Sequence, residues 1–172
     1  MASHLIEQKK QYLKVDVPAI EWHGDPARLA QIVANLLTNA ARYTPEHGNI
    51  SLSARSDGER VTLEVKDDGM GIHESLLPHI FEAFVQGERK LEGAVGGLGI
   101  GLALVKNLAE LHDGQVSAYS AGPGQGSTFT ITLPLGASQT ASTAAAAQPA
   151  AAEGAQRRDP YAAQCGEIDA LR

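Results

Sequence analysis

Between Leu29 and Ala40 apolar side chains fall at Leu29, Ile32, Val33, Leu36, Leu37 and Ala40, the spacing of a helix that buries one stripe. Gly24-Asp25-Pro26 precedes it, and an acid that can cap followed by a proline suited to the first turn is a helix start. Thr44-Pro45-Glu46-His47-Gly48 ends the helix and turns the chain. The period then shortens to two. Ile50, Leu52 and Ala54 alternate with polar residues, Ser56-Asp57-Gly58-Glu59 reads as a turn, and Val61, Leu63 and Val65 alternate again. This predicts an antiparallel hairpin with one buried face, which delivers the chain to the tight acidic loop Asp67-Asp68-Gly69-Met70-Gly71-Ile72. Leu76 to Phe84 is a short apolar segment, and Gln86 to Val95 has no period and reads as a mobile loop placed like a lid. Helical spacing returns at Leu102, Val105, Leu108 and Ala109, and stops at Asp113-Gly114. Val116, Ala118 and Ser120 predict a strand, Gly122 to Gly126 a turn, and Phe129, Ile131 and Leu133 a last strand with Thr128, Thr130 and Thr132 on its other face.

The flanks are less regular. Residues 1–14 are polar and mixed, and read as the end of a preceding segment or a linker. Val15, Val17, Ile20 and Trp22 predict short extended pieces that Pro18 confines to a sheet edge, with Trp22 covering the core. Residues 15–135 form the expected domain, and 136–172, dominated by Ala with Ser, Thr and Gln, read as a flexible linker or tail. A chain of 172 residues has room for one domain with a core. The net charge of −6 argues against a nucleic-acid partner, though not against a nucleotide. A single cysteine, Cys165, excludes an internal disulfide and suits a reducing compartment. No stretch has the length of a membrane helix, so the expected setting is cytoplasmic.

Candidate chemistry centres on Gly96-Gly97-Leu98-Gly99-Ile100-Gly101-Leu102, where four glycines in six residues run into a helix. Bare backbone beside the positive end of a helix makes an anion site, and phosphate is the expected anion. The string is not a P-loop, which needs Gly-Lys-Ser/Thr, and it lacks the third glycine and preceding strand of a dinucleotide fingerprint. Asn35, Asn39 and Arg42 fall at i, i+4 and i+7 on one side of the first helix, with Tyr43 at its end. A solvated face accounts for such a row; so does a metal–phosphate site, because an amide oxygen is a hard neutral ligand for Mg²⁺. A carboxylate in the Asp67 loop can accept from an exocyclic amine such as that of adenine, although Asp-Gly is also ordinary turn chemistry. Arg89 and Lys90 are the cations the lid segment can bring to a phosphate. The six histidines show no metal-ligand spacing.

Asn35-Leu36-Leu37-Thr38-Asn39-Ala40, Asp67-x-Gly69-x-Gly71, Ile80-Phe81-Glu82-Ala83-Phe84 and Gly97-Leu98-Gly99-Ile100-Gly101-Leu102 occur in that order. Together they resemble the asparagine, glycine and phenylalanine boxes of the catalytic, ATP-binding domain of sensor histidine kinases. Gly126-Ser127-Thr128-Phe129 through Pro134 extends the similarity. The resemblance implies a two-layer α/β sandwich of the Bergerat type: a mixed, mostly antiparallel sheet covered on one face by helices, with an ATP lid. It implies ATP and Mg²⁺ as cofactors, with Asn39 on the metal and Asn35, Arg42 and Tyr43 nearby. Asp67 would accept the adenine amine, Gly69 and Gly71 would wall the base, and Thr128 would support it. Gly97, Gly99 and Gly101 would offer backbone N–H groups to the phosphates, with Arg89 and Lys90 from the lid, and Ile72, Leu98 and Leu102 would complete the nucleotide site. The related gyrase, mismatch-repair and chaperone ATPases carry Glu where this chain has Asn35, and an amide cannot act as general base. The implied reaction is therefore transfer of the γ-phosphoryl group to a histidine on a helical dimerisation domain, and onward to a response-regulator receiver domain. The acceptor is expected to lie outside this chain: His4, in Ser3-His4-Leu5-Ile6-Glu7, lacks the acidic neighbour and following proline of an acceptor motif. A silent nucleotide-binding or partner-docking module of the same fold, and a serine/threonine-directed anti-sigma-type kinase, are the alternatives.

Overall fold

The computed structural model describes residues 2–85 and 99–136. Along them run α1 (Ala2–Gln8), β1 (Tyr12–Asp16), α2 (Pro26–Tyr43), β2 (Asn49–Ser56), β3 (Arg60–Asp67), a 3-10 turn at Leu77–His79, α3 (Gly101–Glu110), β4 (Gln115–Tyr119) and β5 (Ser127–Pro134). The strands form one sheet in the order β1-β2-β3-β5-β4, with β1 parallel to β2 and every other pair antiparallel.

α2 begins as its sequence predicts. The Asp25 carboxylate accepts from the N–H groups of Ala27 at 2.8 Å and Arg28 at 3.3 Å, and Pro26 takes the first position, where no N–H is needed. Asp25→Ala should lower stability by about 1 kcal/mol, the ordinary value of a lost N-cap; an unshifted denaturation midpoint would show that the cap contributes nothing. Inward, α2 buries Ile32, Leu36, Ala40 and Ala41, and α3 buries Val105, Leu108 and Ala109. They meet the sheet face that carries Ile50, Ala54, Val61, Leu63, Val65, Phe129, Ile131 and Leu133, in one apolar cluster. Phe81 packs edge-on against Phe129 (centroids 6.4 Å apart), and Trp22 covers the far end, donating from Nε1 to the Pro134 carbonyl at 2.9 Å. The other sheet face carries the alternate residues, including Ser51, Ser53, Thr62, Thr128, Thr130 and Thr132.

Residues 1–14 carry regular structure of their own. α1 lays Ile6 into the core, and Tyr12 to Lys14 already pair with Asn49 to Ser51, so ordered structure begins well before Val15. The edge placement read from Pro18 agrees with β1 as an outer strand, but the paired residues are Tyr12–Asp16. All five are exposed, so no buried stripe announces this strand. The last helix also stops earlier than its apolar pattern, at Glu110, after which Asp113 adopts a left-handed φ of 55°.

Candidate nucleotide site

Asn35, Asn39 and Arg42 lie half-buried along one side of α2, and Tyr43 ends the row more exposed. Tyr43 lies eight helical steps beyond Asn35, a rise of about 12 Å. Each end of the row meets a different element. A Cβ placed on Gly101, the first residue of α3, would stand 3.7 Å from Asn35 Oδ1. At the other end the Met70 N–H donates to the Tyr43 carbonyl at 3.1 Å, and Gly69 packs so closely that a Cβ there would lie 2.5 Å from the same oxygen. Among the described residues, no side-chain hydrogen bond engages Asn35 or Asn39.

Asp67 closes β3 and is only 4% exposed as a residue. Its Oδ1 accepts from the Gly69 N–H at 2.9 Å and its Oδ2 from the Ser127 hydroxyl at 2.5 Å. Two oxygens offer about four acceptor positions, so two remain for another donor. The loop after Asp67 is laced to the β4–β5 turn: Gly126 N donates to Gly69 O at 3.0 Å, Gly124 N to Met70 O at 2.7 Å, and Ile72 N to Ser120 Oγ at 2.9 Å. Ser120 Oγ in turn donates to Gly126 O at 2.7 Å. Gly71 (φ 69°) and Gly126 (φ 67°) occupy the left-handed region, and a Cβ on either would collide with a backbone oxygen, of Gly122 and Asp67 respectively. The neighbouring acid is spent otherwise: Asp68 accepts from Asn49 N at 2.8 Å and Nδ2 at 2.7 Å and pins the start of β2.

α3 starts without help from its own sequence. Ile100 at its N-cap supplies no side-chain hydrogen bond, in contrast to Asp25 at α2, and the first turn carries no acid. Its first N–H groups and its positive end therefore remain available to an anion. Gly99, with φ 69°, fits against the backbone of Phe84, whose N–H donates to the Gly99 carbonyl at 3.0 Å. Thus a hard amide row runs from an uncapped helix start to a buried carboxylate.

Residues 24–137 match the family described as histidine kinase-, DNA gyrase B- and HSP90-like ATPases. The chain belongs to this family. The circadian input-output histidine kinase CikA of Synechococcus elongatus is 42% identical over 121 residues, 70% of this chain and 15% of that protein. The sensor protein DivL of Caulobacter vibrioides is 49% identical over 111 residues, 64% of this chain and 14% of that protein. The chain thus spans a small part of these curated relatives. Among solved structures, the mycobacterial sensor histidine kinase MprB superposes with a TM-score of 0.68 at 27% identity, over 77% of this chain and 89% of that one. Full-length ShkA in complex with AMPPNP gives a TM-score of 0.67 at 33% identity, over 78% of this chain and 28% of that one. The fold is the Bergerat sandwich of histidine-kinase ATP-binding domains.

Of the other residues singled out in the sequence, Gly69 packs against the Tyr43 end of the α2 row and Gly101 lies near Asn35. Ile72 contributes its backbone N–H to the laced loops, and Leu102 is partly buried against the core. Arg89, Lys90, Gly97 and Leu98 lie outside the described residues. Asp67 pairs with Ser127 in the β3–β5 register, and Thr128 pairs with Lys66 on the opposite sheet face. The hydroxyl that reaches the Asp67 carboxylate is that of Ser127. Strand parity carries this signal, because Ser127 shares the phase of Phe129, Ile131 and Leu133. Ser120 reads in the sequence as one more strand residue; nothing local marks a serine that bridges two loops.

Proposed function

We propose that this domain binds Mg·ATP along the α2 row and presents the γ-phosphoryl group to a histidine on a helical dimerisation domain, in a two-component relay that ends on a receiver domain. The observation that carries the reading is the polarity of the row: an uncapped helix start suited to phosphates beside Asn35, and a buried carboxylate with spare acceptor capacity beyond Tyr43. Adenine lies at the Asp67 end, its amine donating to the carboxylate, with Ser127 holding that carboxylate in place. The triphosphate runs toward α3, with Arg42 beside it.

The donor set suits magnesium only in company with phosphates. Asn39 supplies one neutral amide oxygen, and among the described residues no three His, Cys, Asp or Glu side chains gather into a metal site. Mg²⁺ accepts that arrangement because it keeps waters and takes phosphate oxygens; when bound, it offsets charge on the transferring group. Asn35 stands where a base would be needed to activate water, and α2 contains no Asp or Glu at all. Without a general base, hydrolysis is slow and the phosphoryl group is kept for the histidine. A domain fed by ATP works on the cytoplasmic side, and among the described residues no helix is long and apolar enough to cross a membrane.

Calorimetric titration with ATP, with and without Mg²⁺, followed by phosphotransfer to a supplied dimerisation domain, tests the reading. Saturable binding and histidine phosphorylation are expected; absence of binding overturns it, and binding without transfer identifies a silent module instead. Asn39→Ala should weaken ATP binding about tenfold in Mg²⁺, the value of one lost charge-assisted contact, and should little change binding in chelator. Equal losses in both conditions would remove Asn39 from the metal.

A further inference from the structure

The C-terminal end of α2 is fully engaged, and by two different parts of the chain. A helix leaves its last carbonyls without intrahelical partners. Here Ala40 O accepts from Thr44 N at 2.9 Å and Tyr43 O accepts from Met70 N at 3.1 Å. The other carbonyls are taken by the segment after α1. Lys9 Nζ donates to Ala41 O at 3.0 Å, Arg42 O at 2.7 Å and Thr44 O at 2.9 Å. Gln11 Nε2 donates to Ala41 O at 3.0 Å, Thr44 O at 2.7 Å and Pro45 O at 3.2 Å. Backbone bonds fasten the same corner: His47 N donates to Lys9 O at 3.0 Å and Tyr12 N to Gly48 O at 2.9 Å. Between the two side chains Lys10 takes a left-handed φ of 50° just after the α1 terminus, which turns the chain so that both reach α2.

We propose that Lys9 and Gln11 are positioning residues for the nucleotide site: they clamp the helix end on which the Asp67 loop docks, and so fix Arg42, Tyr43 and Met70 relative to Asp67. The inference rests on the nucleotide-site reading above. The chemistry of the clamp is specific. An ammonium has three N–H donors at one point and three carbonyls surround it, in the negative end of the helix dipole. A guanidinium is planar and cannot bring three donors together there. Burial lowers the Lys9 pKa from its ordinary value, Glu46 opposes that, and Arg42 adds to it. The clamp also joins α1 to the site, because Lys9 N and Gln11 N are bonded to Leu5 O and Ile6 O at the end of that helix. A displacement of α1 therefore reaches the Asp67 loop through one helix turn.

The test uses the full chain, AMPPNP with Mg²⁺ as the probe, and amide hydrogen exchange. Lys9→Met should bind AMPPNP about tenfold more weakly at a temperature where it is folded. The Met70 amide, whose acceptor is Tyr43 O, should exchange at least about tenfold faster while amides in the centre of β5 keep their protection. Both must move. Unchanged affinity, unchanged Met70 exchange, or equal acceleration throughout β5 would each overturn the proposal, the last by reducing Lys9 to a general stabiliser. Should Lys9→Met fail to fold, Lys9→Arg takes its place, with a loss of about threefold expected and no loss overturning the clamp. If the wild-type chain binds no AMPPNP, the nucleotide reading fails by itself, and the exchange measurement still decides whether Lys9 holds the loop.

Discussion

Asp67→Asn should abolish most ATP affinity while leaving the fold intact. The substitution keeps the shape of the side chain, so its oxygen can still accept from Gly69 N, and its new amide N–H₂ can donate to Ser127 Oγ, which turns to accept. Both internal bonds survive. What is lost, on the proposed reading, is a negatively charged acceptor for the adenine amine, and a hydrogen bond to a charged group is worth about 1.5–3 kcal/mol, so affinity should fall roughly 10- to 100-fold. Selectivity should fall with it, because a 6-oxo purine, which an acidic acceptor rejects, no longer meets a carboxylate. Competition titration with ATP and GTP beside thermal melts measures both. A variant that melts normally and still prefers ATP would remove Asp67 from base recognition.

Gly126→Ala should unfold the site at its base. Gly126 sits at φ 67°, and a Cβ there would strike the Asp67 carbonyl oxygen while lying 2.9 Å from both Asp67 C and Asp68 Cα. All three atoms are backbone, and Gly126 N is itself tied to Gly69 O at 3.0 Å, so neither side can yield cheaply. Left-handed strain alone costs about 1–2 kcal/mol, and the collision should bring the loss to about 2–4 kcal/mol, a melting drop on the order of 10 °C. Gly58 provides the contrast: its φ is 95° but nothing lies within 4 Å of a Cβ there. Gly58→Ala should show the strain without the collision. Equal destabilisation of the two variants, measured by denaturant unfolding, would refute the packing argument.

These two positions also mark what the chain discloses and what it hides. α2 and the β2–β3 hairpin are legible because each buries one side of a regular period, and Asp25 with Pro26 and the Ser56–Glu59 turn punctuate them. The amide row is legible for the same reason, since helical spacing aligns Asn35, Asn39 and Arg42 without any tertiary information. β1 is not, because an edge strand with five exposed residues has no apolar rhythm. Lys9 and Gln11 are not, because their partners lie 30 or more residues away and are backbone oxygens, which no side-chain pattern reveals. Thr128 is different in kind. Alternation puts it opposite Phe129, and the pairing of Asp67 with Ser127 then assigns the hydroxyl.

The lacing between the Asp67 loop and the β4–β5 turn has a consequence for how such a chain can change in length. Three bonds set Gly69 against Gly126, Met70 against Gly124 and Ile72 against Ser120, so one residue added to either loop throws every later partner out of step. The tip of the Asp57–Gly58 turn is held by local bonds, from Glu59 N and Arg60 N to Asp57 Oδ1 and from Gly58 N to Ser56 Oγ, and faces solvent, with Leu135 N donating to Glu59 O at its base. An added residue should therefore be tolerated at this outer turn and not in either laced loop, where it would break the spacing between the acid and the serine that orients it.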